Sequence, residues 1–183
     1  MGRGGLAVAV LAFVLAASGC AGPDELVRQE AITAKARIIA VAPLANLTTH
    51  PKAGLIVAEL AATQLLAAER FQVIGPMEVA GAFDLKGYQI EDGLDMDQAS
   101  KLTGLLGANT LLFGSVTEYQ YRPGLYDQPA VGLSLRFKDL KTGQIIWAAN
   151  RSACGAKFWS RGMTLSQLAD QLVAEMIQAL VVE

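Results

Sequence analysis

The sequence is short of the residues that do chemistry. It has one histidine, His50, two cysteines, Cys20 and Cys154, and only 17% charged side chains. No His-Glu-x-x-His, Cys-x-x-Cys or spaced acidic loop is present, so no metal-ligand set can be assembled from neighbouring positions. Gly-x-x-x-x-Gly-Lys, Gly-x-Gly-x-x-Gly and Gly-x-Ser-x-Gly are also missing, which leaves no phosphate cradle and no nucleophile elbow. The 15 basic and 17 acidic residues give a net charge of −2 with no basic cluster. A nucleic-acid surface needs concentrated positive charge, so that class is excluded. With 18 Gly and 6 Pro among 183 residues, and 52% apolar side chains, the chain is neither fibrous nor disordered.

The apolar excess is unevenly placed. Arg3 is followed by an uninterrupted apolar run from Leu6 to Ala17 that ends in Ala-Ala-Ser-Gly-Cys. The run is shorter than the ~20 residues a spanning helix needs, so it reads as a targeting segment. Small residues at Ala17, Ser18 and Gly19 directly before Cys20 have the pattern of a bacterial lipoprotein signal. By that resemblance the chain is cleaved after Gly19, Cys20 carries acyl chains, and Ala21 in place of Asp implies the outer membrane. Residues 1–19 are then the signal, 20–36 the lipidated cysteine with a short tether, and 37–183 the periplasmic domain. Removing 19 of 183 residues leaves 164, with a net charge of −3 because Arg3 is lost. Cys154 has no partner for an internal disulfide and reads as a small packed residue.

Within the tether, Glu25 to Lys35 has helical character. Ile38 to Leu44 is a continuous apolar run ended by Pro43, the pattern of a strand covered on both faces. Asn46 to Lys52 reads as a loop, with Pro51 at a first helical position. Lys52 to Arg70 is helical, with Ile56, Leu60, Leu65, Ala67 and Ala68 on its apolar face. Phe71 to Ile74 is a second strand closed by Gly75-Pro76, which makes a right-handed parallel crossover. A short helix near Met77 to Phe83 and a loop through Gly87 and Gly93 follow. A helix from Met96 to Leu106 has Asp95 as N-cap and Gly107 as its stop.

Thr110 to Tyr121 reads as a long strand. Val131, Leu133, Leu135 and Phe137 alternate with Gly132, Ser134, Arg136 and Lys138, a strand with one covered face. Asp139 to Gly143 is a tight turn, and Gln144 to Arg151 returns with Trp147, Ile145 and Ala149 on one face. After a loop from Ser152 to Met163, Thr164 and Gln167 form a capping box before a helix with apolar positions from Leu165 to Val181. The order β-α-β-α-α-β-β-β-α makes an α/β single-domain sandwich with a mixed sheet.

No catalytic, metal or cofactor set emerges, and an enzyme is the weaker class. The acidic pairs Glu91/Asp92 and Asp95/Asp97 fit a helix start better than acid–base chemistry. Asn46-Leu47-Thr48 matches a glycosylation acceptor without further support. His50 reads as a solvent-facing loop histidine, and an envelope hydrolase built on it would need a pocket with a nucleophile beside it. Tyr119, Tyr121, Arg122, Pro123 and Tyr126 cluster near one strand end, and Phe158, Trp159 and Arg161 sit in the last loop. Aromatics and arginine on loops dominate binding hot spots, so Tyr121, Tyr126, Phe158, Trp159 and Arg161 are the candidate partner-binding residues. Rings that fold back over the core edge are the equal alternative.

Four stretches in order resemble one family. They are Ile38–Leu44 with Asn46-Leu47-Thr48, Arg70–Ile74, Leu106-Gly107-Ala108 with Phe113–Tyr119, and Asp139–Trp147. Together they resemble the CsgG/LpoB-like outer-membrane lipoproteins, a group that includes a curli-secretion pore and an activator of a penicillin-binding protein. The resemblance implies a non-enzymatic α/β domain that binds an envelope protein, in peptidoglycan synthase regulation or envelope assembly. A second implication is an accessory, ring-forming homo-oligomer of a secretion or appendage apparatus. The loops Arg122 to Pro129 and Ser152 to Met163 are too short for the membrane hairpins of a pore, whose strands need ~9–11 residues each.

Overall fold

The protein is described here from a computed structural model, in which residues 24–27, 38–84, 101, 104–123, 127–155 and 162–181 are described. Seven strands form one mixed sheet. They are β1 (Asp24–Val27), β2 (Ile38–Val41), β3 (Ala45–Asn46), β4 (Gln72–Ile74), β5 (Thr110–Arg122), β6 (Gln128–Asp139) and β7 (Ile145–Cys154). The helices are α1 (Ala53–Ala67), α2 (Pro76–Asp84) and α3 (Leu165–Val181). The sheet order is β1-β7-β6-β5-β2-β4, with β3 beside β5.

β2 lies between parallel neighbours β4 and β5, as a strand covered on both faces requires. Ile39 and Val41 face the larger core with α1 and α3, while Ala40 and Ala42 face a smaller one with Val79 and Phe83 of α2. The parallel β2-α1-β4 crossover agrees with the sequence reading. Pro43 has no N–H and interrupts the strand, but the chain then rejoins the sheet instead of looping out. Ala42 N–H donates to Leu112 O at 2.9 Å, and Leu47 N–H donates to Val116 O at 3.0 Å. The loop expected at Asn46 therefore begins with β3, two residues that pair with Ser115 and Val116.

α1 starts later and ends earlier than its sequence suggests. Pro51 stays in the preceding turn, and Lys52 caps the helix in the left-handed region at φ 63°. Side chains wind this entry. Asn46 Oδ1 accepts from Thr48 N–H at 3.1 Å, Asn46 Nδ2 donates to His50 O at 2.9 Å, and Thr48 Oγ1 accepts from His50 N–H at 3.2 Å. Such Asx and Ser/Thr turns compete with helix, which delays its start. At the other end Glu69 adopts φ 54°. The buried face is Ala53, Gly54, Val57, Ala58, Ala61, Ala62 and Leu65, small enough for the helix to lie close to the sheet. Ile56 and Leu60 pack at its margin, and Ala67 is exposed.

β5, β6 and β7 form an antiparallel meander, and two bulges set its faces. The first falls at Thr117, between Val116 and Glu118. It shifts the alternation so that Leu112, Gly114 and Val116 are continued by Tyr119 and Tyr121 on the helix-covered face. The second falls between Phe137 and Lys138, which pair with Trp147 and Ile145. Ile146 is the extra residue and is buried, whereas Ile145 is 49% exposed. Ile145 therefore does not share the face of Trp147, a correction that only the partner strand reveals. β6 keeps its expected alternation on the core side, with Val131, Leu133, Leu135 and Phe137 all buried, but its other face is not open as expected: Gly132 and Lys138 are buried too, Ser134 is half-buried and Arg136 is exposed.

Asp24–Val27 pairs antiparallel with β7, Asp24 opposite Asn150 and Val27 opposite Trp147. The helical character expected from Glu25 is thus replaced by strand at its start, and residues 28–37 lie outside the described ones. Of the helix expected from Met96, Lys101, Gly104 and Leu105 are helical, and it stops at Gly107 with φ 78°. The turn after β6 is held by Asp139, whose Oδ1 accepts from Lys141 N–H at 2.7 Å and Thr142 N–H at 3.1 Å. Gly143 supplies the left-handed residue at φ 71°. The capping box of α3 is reciprocal, with Thr164 N–H on Gln167 Oε1 at 2.8 Å and Gln167 N–H on Thr164 Oγ1 at 3.2 Å.

Candidate functional site

The two loops that carry the candidate residues leave the sheet together. Arg122 at the end of β5 pairs with Gln128 at the start of β6, and Ala130 pairs with Cys154 at the end of β7. Gly155 N–H then donates to Pro129 O at 2.7 Å. The connections 123–127 and 156–161 therefore depart from adjoining strands at one end of the sheet, here termed the hairpin end. Tyr121 is the penultimate residue of β5 at this end and is 47% exposed. Tyr126, Phe158, Trp159, Arg161 and Cys20 lie outside the described residues.

Tyr119 is two residues from Tyr121 on the same face, yet it is not part of any open surface. It is 2% exposed, its hydroxyl is 3.0 Å from Ser166 Oγ at the start of α3, and its ring meets His50 edge-on at 4.8 Å. The reason is non-local: the N-terminal turn of α3 and the loop before α1 close over position 119 and stop short of 121. Tyr119 is therefore a pin between three segments, and the fold-back alternative holds for this ring.

His50 is half-buried, not solvent-facing. Its Nδ1 is 3.0 Å from Pro51 O, and its ring contact is with Tyr119. Thr48 Oγ1 accepts from the His50 backbone N–H, and the Ser166 hydroxyl is engaged by Tyr119. Among the described residues nothing sets a nucleophile against His50, and no group of three His, Cys, Asp or Glu could hold a metal. Asn46, the glycosylation match, has its amide engaged in the loop turn. Cys154 is half-buried at the end of β7. The acidic pairs at 91–97 lie outside the described residues.

On the opposite face of the hairpin end sits a polar group that the sequence reading passed over. Glu118 Oε1 and Oε2 accept from Arg122 Nε and Nη2 at 2.8 and 2.7 Å, and Oε1 also accepts from Gln120 Nε2 at 3.0 Å. The Arg122 hydrogen bonds hold the Glu118 carboxyl below its ordinary range, against a smaller opposing effect of burial. The spacing was a usable signal, because residues two and four apart on a strand share a face. The group stiffens the end of β5 beside Tyr121, and bidentate Arg–carboxylate geometry suits that task.

A family model described as "Putative lipoprotein GNA1162-like" matches residues 29–183. The PelC dodecamer from Paraburkholderia phytofirmans superposes with a TM-score of 0.67 at 24% identity, over 89% of this chain and 99% of that one. Lipoprotein GNA1162 from Neisseria meningitidis gives a TM-score of 0.60 at 19% identity, over 79% and 97%. The LpoB C-terminal domain from Escherichia coli is a looser likeness, with a TM-score of 0.48 at 18% identity over 65% and 83%. No curated protein matches this sequence.

Proposed function

Because the chain belongs to the GNA1162-like lipoprotein family, we propose that it is a non-catalytic envelope lipoprotein. Cys20 is acylated after removal of residues 1–19 and holds the molecule on the outer membrane, with the domain facing the periplasm. The protein works by binding another envelope protein, in the control of peptidoglycan synthesis or in envelope assembly. Tyr121, Tyr126, Phe158, Trp159 and Arg161 form the contact surface. The observation that carries this reading is the departure of both aromatic loops from adjoining strands at one end of the sheet, fixed by the Gly155–Pro129 hydrogen bond. Loops carried on a packed scaffold are where binding residues concentrate, and aromatic and arginine side chains supply most binding energy at interfaces.

Self-assembly is the second reading, and the favouring observation is the fold shared with a protein that forms a dodecamer, over nearly the whole of both chains. A closed ring needs two different complementary patches on each subunit. Two measurements test the proposal. Cys20→Ala is expected to leave the membrane fraction or to remain unprocessed, and unchanged retention would count against anchoring. Tyr126→Ala combined with Trp159→Ala is expected to lose the co-purifying partner while the far-UV spectrum and Tm stay unchanged. Size-exclusion with light scattering on detergent-solubilised wild type separates a ring from a monomer.

A further inference from the structure

Two cations on one face of β6 stand without a counter-charge. Arg136 and Lys138 are two residues apart, so both lie on the face of the sheet that carries Leu111 and is covered further along by α2. Their cross-strand neighbours are all apolar: Phe113 and Ala148 beside Arg136, Leu111 and Ile145 beside Lys138. A carboxylate across the strands is the usual stabilising partner for such a cation. Neither residue makes a hydrogen bond or an ion pair among the described residues. Ile145, opposite Lys138, is 49% exposed, so this patch beside the Asp139–Gly143 turn joins positive charge to an open apolar side chain. The hairpin end offers the converse. Tyr121 is exposed and pairs with Pro129. Asp127 is exposed two residues before Pro129, and alternation carried one residue past the start of β6 puts it on the side of Tyr121. Asp127 also has no hydrogen bond or ion pair among the described residues. The spacings agree. Tyr121 to Asp127 is one strand across and two residues along, and so is Ile145 to Arg136, about 8 Å between Cα atoms in each case.

We infer that these two patches meet between copies of this chain, with Asp127 of one copy on Arg136 of the next and the Tyr121 ring against Ile145. The inference rests on the self-assembly reading above and gives it a surface. The two patches lie on opposite faces and at opposite ends of the sheet, so neither can meet its own kind by a two-fold rotation. The contact is head-to-tail, and every pair of copies keeps one unused patch of each sort for a further copy. Opposite charge steers the encounter and fixes its register, and Lys138 beside Arg136 adds to the attraction. The tyrosine ring on an aliphatic side chain supplies the dry centre that such a contact needs.

The test is made on full-length protein solubilised in detergent, its mass read by size-exclusion with light scattering. Arg136→Asp alone and Asp127→Arg alone are each expected to reduce the mass to that of one subunit. The two together are expected to recover the assembly, because the pair re-forms with its signs exchanged. Single variants that dissociate without recovery in the double variant overturn the pairing. A second measurement does not depend on charge. In a Cys154→Ser background, Tyr121→Cys and Ile145→Cys proteins are expressed separately and together, and the envelopes are oxidised. A disulfide-linked dimer is expected only where both variants are present. A dimer of either variant alone overturns the head-to-tail contact, and so does a co-expressed pair that stays unlinked. Wild type that elutes as one subunit overturns the self-assembly reading and this interface together, whereas an assembled wild type whose mass is unmoved by either charge reversal overturns the interface alone.

Discussion

Gly54 in the first turn of α1 sets the distance between that helix and the sheet, and replacing it sets two effects of known size against each other. A Cβ built there falls onto the Leu44 carbonyl oxygen, 3.0 Å from the Leu44 carbonyl carbon and 3.5 Å from Asn46 Cβ. Gly→Ala in a helix normally stabilises by up to ~1 kcal/mol, and less in a first turn. Overpacking against backbone costs about 1–3 kcal/mol. Here the obstacle cannot swing aside, because Leu44 lies between Ala42 N–H on Leu112 O and Leu47 N–H on Val116 O. Each of those bonds is worth ~1 kcal/mol if the carbonyl must move. The expected net effect of Gly54→Ala is a loss of roughly 1–3 kcal/mol, or about 3–10 °C in Tm for a domain of this size. Gly81 in α2 is the control, since a Cβ there meets nothing within 4 Å. Gly81→Ala is expected to raise stability by ~0.5–1 kcal/mol. Thermal and urea unfolding of both variants, in soluble protein lacking the acyl chains, reads the two signs. An unchanged or raised Tm for Gly54→Ala would refute the close approach of α1 to the Leu44 backbone.

Three further outcomes follow from the geometry. Tyr119→Phe removes the hydroxyl contact with Ser166 and is expected to cost ~1 kcal/mol; a double-mutant cycle with Ser166→Ala should show positive coupling, and its absence would dissolve the pin. Thr164→Ala should cost ~1 kcal/mol by breaking the capping box of α3, measured by urea unfolding at constant m-value. Glu118 has a folded pKa below its unfolded one, so its contribution is present above the unfolded pKa and is lost as pH falls through the folded pKa. With Arg122 about half exposed, that contribution stays under ~1 kcal/mol. The gap between wild type and Glu118→Gln should therefore close as pH is lowered, and a gap independent of acidification would contradict the assignment.

Local pattern foretold most of the sheet. The alternation in β6, the turn with Gly143 and the Thr164/Gln167 box each depend on residues a few positions apart, so the sequence displays them directly. β1 and β3 were not visible, because four residues with two adjacent charges and two residues after a proline carry no strand period of their own. Both exist through their partners. The bulges at Thr117 and Ile146 are invisible for the same reason, and the second reversed the expected side of Ile145. The candidate site divides similarly. That the two aromatic loops share one end follows from the meander, which was legible; that Tyr119 is covered and Tyr121 is open depends on where α3 begins in space. The motifs suggested CsgG/LpoB-like lipoproteins, whereas the family shown for the chain is that of the GNA1162-like lipoproteins.

The central claim is that a lipid-held, non-catalytic domain acts through its hairpin end, and site-specific photo-cross-linking in intact envelopes tests it most directly. A photoreactive residue at Tyr121 is expected to capture a discrete envelope protein or a second copy of the chain, and to lose that product when Cys20 is replaced by Ala. The same residue at Leu66, exposed at the opposite end of the fold, should capture neither. Identical products from both positions, or a Tyr121 product that persists without Cys20, would contradict the account.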